Sequence, residues 1–175
     1  MKKIILCFVV LATISCKVQK QETKVIKDKS GNLIGVVEKN HFLQEPFKGW
    51  FNFNYDDYTS NKNVIEQLKP LLKKVKIKAF MGTWCGDSKE QTPVFYKILD
   101  EAGFDYKNLE LIAVDRSKKT LDNLQEGLDI IRVPTFIFYK NDKEIGRFVE
   151  YPRESVEEDI LKIVSGKPYK HSYEN

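Results

Sequence analysis

Histidine and cysteine are scarce in this chain, with 2 and 3 among 175 residues. Strong metal centres take three or four ligands. Neither His41 nor His171 has ligand spacing to a cysteine, so no metal site is expected. Three cysteines are too few for a disulfide-stapled scaffold. Gly (9) and Pro (6) are too sparse for a collagen-like or low-complexity chain. Neither sign of charge dominates: 29 Lys and Arg face 25 Asp and Glu, a net of +4. That excess is too weak to mark a nucleic-acid binder. Glycine-rich phosphate loops and paired His–Glu metal motifs are missing, so no cofactor is expected. No apolar run reaches the about 20 residues that a membrane-spanning helix needs. Apolar residues make up 42% and aromatics 12%, enough for a packed core and against disorder. The length suits one ordinary domain.

The N-terminus has its own organisation. Met1-Lys2-Lys3 is basic, and residues 4–14 are apolar except for Thr13. A positive start, an apolar run of this length and small residues behind it describe an export signal. The end of the run, Thr13-Ile14-Ser15-Cys16, resembles a bacterial lipoprotein signal, in which cleavage falls just before a cysteine that is then lipidated. Ser15 fits that pattern, whereas Thr13 stands where a larger aliphatic is usual. An ordinary secretory signal and an uncut N-terminal anchor are the other readings. The resemblance implies a signal peptide over 1–15, lipidation of Cys16 and a polar tether over 16–22. It places the protein at the bacterial cell envelope, lipid-anchored and facing the periplasm or exterior. Cys7 would leave with the leader and Cys16 would carry lipid, so Cys85 would be the one free thiol of the mature chain. No intramolecular disulfide is then expected. Membrane attachment would come from lipid rather than from a basic surface.

Along the mature chain, β-branched runs at 23–27 and 33–38 flank a glycine-containing loop and read as a hairpin. Residues 39–60 concentrate Phe42, Phe47, Trp50, Phe51, Phe53, Tyr55 and Tyr58. If 50–54 is extended, Phe51 and Phe53 share one face. These rings either pack the extension onto the domain or form a partner-binding surface. From Ser60 the pattern is helical, through Val64, Ile65, Leu68, Leu71, Leu72 and Val75. Pro70 is expected to kink or end that helix. A strand at 76–81, a helix at 88–102 and a strand at 109–114 follow. Leu121, Leu124 and Leu128 mark a short helix. Strands at 134–139 and 144–149 form a hairpin. Ser155-Val156-Glu157-Glu158 is a capping box that opens the last helix, and Gly166 and Pro168 stop it. Strands joined through helices are parallel and the last hairpin is antiparallel. The order predicts an α/β fold with a mixed central sheet flanked by helices on both faces. Residues 23–60 are then an N-terminal hairpin and aromatic extension, 61–168 the main domain, and 169–175 a frayed polar tail. Asp56-Asp57 and Glu157-Glu158 sit in a turn and a first helical turn and read as structural.

The chemistry concentrates at Trp84-Cys85-Gly86-Asp87-Ser88, between an apolar strand and a helix. Unpaired N–H groups and the helix dipole favour an anion at that point. A thiolate is stabilised there, and the thiolate is the form that attacks disulfides. Gly86 lets a substrate backbone come close, and Trp84 covers one side.

This pentapeptide at a strand-to-helix junction resembles the active site of the thioredoxin superfamily. Pro93, eight residues after Cys85, stands where thioredoxins carry a kinking proline. Val133-Pro134-Thr135, with Pro134 forty-nine residues after Cys85, matches the family's cis-proline segment. Phe136-Ile137-Phe138-Tyr139 and the strand at 144–149 follow the family's last two strands. The resemblance spans residues 61–166 and implies a thioredoxin-like fold. It also implies Cys85 as the attacking thiol. Trp84, Gly86, Val133, Pro134 and Thr135 become the surface that holds a client protein or a small thiol or disulfide.

Departures from the family pattern decide the function. Ser88 stands where the second cysteine belongs and cannot resolve a mixed disulfide. Ala79 replaces a buried carboxylate that often precedes the motif. Asp87 replaces the motif's proline, and its carboxylate works against a neighbouring thiolate; Lys89 offers an offsetting cation. Glu150, followed by Tyr151-Pro152, replaces a glycine after the last strand. Ser88 either donates a hydrogen bond to the sulfur or, through Ser88-x-x-Gln91, merely caps the helix, as Asp87-x-x-Glu90 also suggests. Two functions stay open. One is an envelope-facing monothiol thiol–disulfide oxidoreductase or isomerase, with Cys85 and Ser88 as its catalytic residues. The other is a non-catalytic binding module on the same scaffold, its interface formed by residues 42–58 and 150–152.

Overall fold

The computed structural model describes residues 25–174. The leader, Cys7, Cys16, the tether over 16–22, and Thr23 and Lys24 of the expected hairpin lie outside them, as does Asn175. The described residues form six strands: β1 (Ile26–Lys27), β2 (Leu33–Val37), β3 (Lys76–Met81), β4 (Leu109–Ala113), β5 (Thr135–Lys140) and β6 (Lys143–Val149). They form one mixed sheet in the order β1-β2-β4-β3-β5-β6. β3 and β4 are parallel. The remaining pairs are antiparallel, including β2 on β4, where Val36 lies opposite Ile112.

Local chemistry explains most boundaries. Asp28 Oδ1 accepts the N–H groups of Ser30 and Asn32 and closes the β1–β2 turn. Asn141 and Asp142 both adopt positive φ, 52° and 59°, as a tight β5–β6 turn requires. The last helix, α5 (Val156–Ser165), begins where Ser155 Oγ accepts Glu158 N–H. It ends at Gly166, whose φ of 74° lies in the left-handed region. α3 (Lys62–Leu72) runs past Pro70 and ends two residues later. The proline falls in the last turn, so only one helical bond is lost.

Residues read as an appended extension contribute β2 to the main sheet and a helix to the main core. Residues 50–54 are helical, not extended: they belong to α2 (Lys48–Asp57), preceded by the one-turn α1 (Lys39–Phe42). Phe47, Trp50/Phe51, Tyr55 and Tyr58 recur every three or four residues, which is the helical period. Phe51 is therefore buried while Phe53 is 68% exposed on the far side. Phe42 stacks on Phe51 at 5.6 Å, and Phe51 meets Tyr96 edge-on at 5.8 Å. Packing, rather than partner display, absorbs most of these rings.

The two sheet faces are covered differently. On one face Ile77, Ala79, Met81, Leu111, Phe136 and Phe138 join the apolar sides of α2, α3, α5 and α4 (Gly86–Ala102). The other face carries Phe80, Ile112 and Ile137, with Val114 and Val133 beside them. The short helix expected from Leu121, Leu124 and Leu128 is absent, so helices flank one face and a loop covers the other. Side chains out-compete the helix there. Asp115 Oδ1 accepts from Ser117 and Lys119 N–H, and Thr120 Oγ1 accepts from Leu124 N–H. Leu121 is 76% exposed, while Leu124 and Leu128 lie against the sheet.

The C-terminal residues are docked, not frayed. Arg153 Nη2 donates to the carbonyls of His171 and Glu174, both at 3.0 Å. Ser172 Oγ donates to Tyr151 O at 2.6 Å, and Tyr169 OH to Asp159 Oδ2 at 3.0 Å. A guanidinium and a buried carboxylate, both distant in sequence, supply what the polar tail cannot supply itself. Among the described residues no helix is long and apolar enough to cross a membrane.

Candidate active site

Cys85 is the N-cap of α4, with extended backbone at φ −92° and ψ 132°. Its N–H donates to Gly82 O at 2.9 Å, and its carbonyl receives Lys89 N–H at 3.1 Å. The apolar β3 thus stops one tight turn before the helix, and the thiol stands at the junction. The thiol is free and half-buried. Its S–H donates to Val133 O at 3.3 Å and lies 3.7 Å from Asp87 Oδ2. Both partners are acceptors.

The Val133–Pro134 peptide bond is cis. Val133 is buried, and Thr135 Oγ1 donates to Arg132 O at 2.7 Å, which locks the loop entering β5. The Pro134 carbonyl accepts Glu150 N–H at 2.7 Å. Glu150 sits at a φ of 65°, in the left-handed region where the family's glycine would be unstrained. Burial pushes its carboxyl upward, the Asp87 charge adds to that rise, and Arg132 opposes it.

Trp84 roofs the turn. Its Nε1 donates to Val114 O at 2.8 Å, and the Arg116 guanidinium lies 5.3 Å from the ring centroid. Gly82 makes this possible: a Cβ there would meet the indole at 2.6 Å. A Cβ at Gly86 would meet open space, so that side of the thiol is approachable.

Ser88 is fully buried, and its Oγ accepts Gly82 N–H at 3.1 Å. It makes no hydrogen bond with the sulfur. Neither expected capping box forms: Cys85, not Asp87 or Ser88, is the N-cap, and Gln91 Nε2 bonds its neighbour Glu90. Ser88 instead ties the first turn of α4 back to the end of β3. Lys89 lies one turn into α4 and is held by its backbone. The structure therefore brings Trp84, Cys85, Asp87, Val133 and Pro134 together, with Gly86 open and Ser88 beneath.

Gly82, Arg116, Arg132 and Glu150 complete the surroundings. Of these, Glu150 was visible in the sequence only as a departure from the family glycine. A glycine at a strand end was the only signal for Gly82, and the two arginines carried none. Among the described residues no three of His, Cys, Asp and Glu gather as a metal site. His41 Nδ1 accepts Glu38 N–H and caps α1 instead of meeting Cys85.

A family model described as thioredoxin matches residues 43–162. Chicken (Gallus gallus) thioredoxin is 29% identical over 98 residues, which cover 56% of this chain and 88% of that protein. Mouse (Mus musculus) thioredoxin is 30% identical over 92 residues, covering 51% of this chain and 79% of its own. The fold is shared with a solved protein of unknown function from Pseudomonas aeruginosa, at a TM-score of 0.52 and 15% identity. That match covers 75% of this chain and 83% of the other. Thioredoxin-like proteins act on client thiols or disulfides. The strand-to-helix thiol, the cis Val133–Pro134 bond beside it and these matches over most of the described chain agree: the chain belongs to the thioredoxin family.

Proposed function

We propose that this chain is a monothiol thiol–disulfide exchange protein, lipid-anchored through Cys16 at the bacterial envelope. The observation that carries the reading is the half-buried Cys85 thiol at the N-terminus of α4, 3.3 Å from the carbonyl of Val133 and beside cis Pro134. Cys85 gives its proton to solvent, and the sulfur attacks one sulfur of a client disulfide. The client S–S bond breaks, its electron pair leaves with the second client sulfur, and a mixed disulfide to Cys85 forms. Ser88 has no thiol with which to break that bond. A second thiol of the client, or a small external thiol, attacks the client's sulfur and releases Cys85 as thiolate. With a client thiol the outcome is a rearranged disulfide with no net change of oxidation state.

The test is refolding of a scrambled disulfide-bonded protein with a small thiol present. Cys85→Ala is expected to abolish the acceleration and Ser88→Ala to retain part of it. Full acceleration by Cys85→Ala would sink the reading. Loss of fatty-acid labelling in Cys16→Ala checks the anchor.

A second reading, a non-catalytic binding module, draws on the two oxygens nearest the sulfur, Val133 O and Asp87 Oδ2, which are acceptors and offer no hydrogen bond to a thiolate. Client binding that Cys85→Ser leaves unchanged would favour it; loss of binding would count against it.

A further inference from the structure

The C-terminal segment reaches the rim of the thiol site. Tyr173 lies beside Tyr151 at 6.0 Å, just after β6. The Arg132 guanidinium lies over the Tyr173 ring, 5.2 Å from its centroid. Arg132 is the residue before Val133, whose carbonyl receives the Cys85 S–H. Its backbone is fixed by Thr135 Oγ1 and its side chain by the ring, so the guanidinium is presented rather than free to wander. The tail that supplies Tyr173 is itself pinned by Arg153 and Ser172.

Arg132 is exposed and makes no ion pair among the described residues. A guanidinium seated over a ring and outside any ion pair is a ready receptor for a carboxylate, because its planar fork pairs with both oxygens. Tyr173 and Tyr151 remain 39% and 47% exposed and extend the platform with apolar ring surface. Two acids, Asp87 and Glu150, share the rim. An anion therefore gains only by reaching the guanidinium directly, and recognition is contact rather than long-range attraction.

We infer that Arg132 is a specificity-determining residue that receives a carboxylate carried by the client next to its disulfide, and that Tyr173 is the positioning residue that holds it. This inference rests on thiol exchange at Cys85.

The experiment compares two chromogenic disulfides on the purified full chain, with the signal of Cys85→Ala subtracted. The disulfide of nitrothiobenzoate carries a carboxylate on each half, whereas dithiodipyridine is neutral. In both, the Cys85 sulfur bonds to one half and the other half leaves as the coloured thiolate or thione. The ratio of the two rates cancels any change in thiol reactivity. Arg132→Gln is expected to lower the ratio of acidic to neutral probe roughly five-fold. Tyr173→Ser is expected to lower it about two-fold, and Tyr173→Phe, which keeps the ring, to restore it. An unchanged ratio in Arg132→Gln, with both probes still reacting through Cys85, overturns this inference alone. Reduction by Arg132→Gln but not by Tyr173→Ser overturns the positioning role. Absence of any Cys85-dependent signal with either probe overturns the exchange reading, and this inference with it.

Discussion

The side-chain amide of Asn54 donates to the carbonyl of Lys89 at 3.2 Å. Lys89 stands four residues before Pro93, and Pro93 has no N–H to give that carbonyl its helical bond. The helix that carries Cys85 therefore runs unbroken from Gly86 to Ala102 with outside help from α2. The extension does more than bury aromatic rings: it repairs the hydrogen bonding of the helix that Cys85 caps.

This repair predicts a coupled pair. Asn54→Ala leaves the Lys89 carbonyl without a partner and is expected to cost about 1–2 kcal/mol in urea unfolding. In a Pro93→Ala background residue 93 regains its N–H, so the same change is expected to cost clearly less. Equal losses in both backgrounds would show that the amide contributes only through its other bond, to Trp50 O at 2.8 Å.

Gly82 predicts a steric effect. Its backbone conformation is open to any residue, but a Cβ would sit 2.6 Å from the Trp84 indole, which its bond to Val114 O holds in place. Gly82→Ala is expected to destabilise by about 2 kcal/mol and to shift the tryptophan emission as Trp84 is displaced. Unchanged emission and stability would mean that the ring yields freely.

Asp100 predicts acid sensitivity. Burial pushes its carboxyl upward, but hydrogen bonds from Lys39, Tyr106 and Tyr55 outweigh that and hold it below the ordinary value of 3.8. A carboxylate lowered on folding contributes stability above its unfolded value, and that contribution disappears as pH falls through the folded one. Unfolding midpoints taken from pH 7 to pH 2 are therefore expected to fall more steeply, from about 3.8 downward, in the natural chain than in Asp100→Asn. Parallel profiles would remove Asp100 from the acid response.

Thr92 predicts a gain. It is fully buried on α4, and its hydroxyl has no hydrogen-bond partner. Thr92→Val keeps the shape and removes the stranded group, so stability is expected to rise by about 1 kcal/mol. A loss on thermal unfolding would indicate that the hydroxyl is satisfied in solution.

The elements that were legible in the chain are those whose signals are local. β3 falls on 76–81 as expected because its side chains alternate and then turn wholly apolar. α5 begins at its Ser155 cap and stops at its glycine. The thiol motif is likewise one contiguous stretch. α2 was not legible, because closely spaced rings fit a strand face and a helix stripe alike until Phe51 finds Phe42 and Tyr96. The loop at 115–133 was not legible either. Three leucines at helical spacing are outweighed by Asp115 and Thr120, whose side chains take backbone N–H groups that a helix would use.

The site divides in the same way. A cysteine after an apolar strand and before a helix is a property of neighbouring residues, and so is a Val-Pro pair entering the next strand. Backbone stereochemistry and side-chain period settle such features within a few residues. Which acceptors meet the sulfur, what Ser88 bonds and which ring lies under Arg132 depend on segments far apart in the chain. Tyr173 and Arg132 are forty-one residues apart, and Asn54 and Lys89 thirty-five. Each pair meets only because the sheet and helices have already packed. Contact between distant segments is set by the summed packing of the whole core, and no local pattern carries that sum.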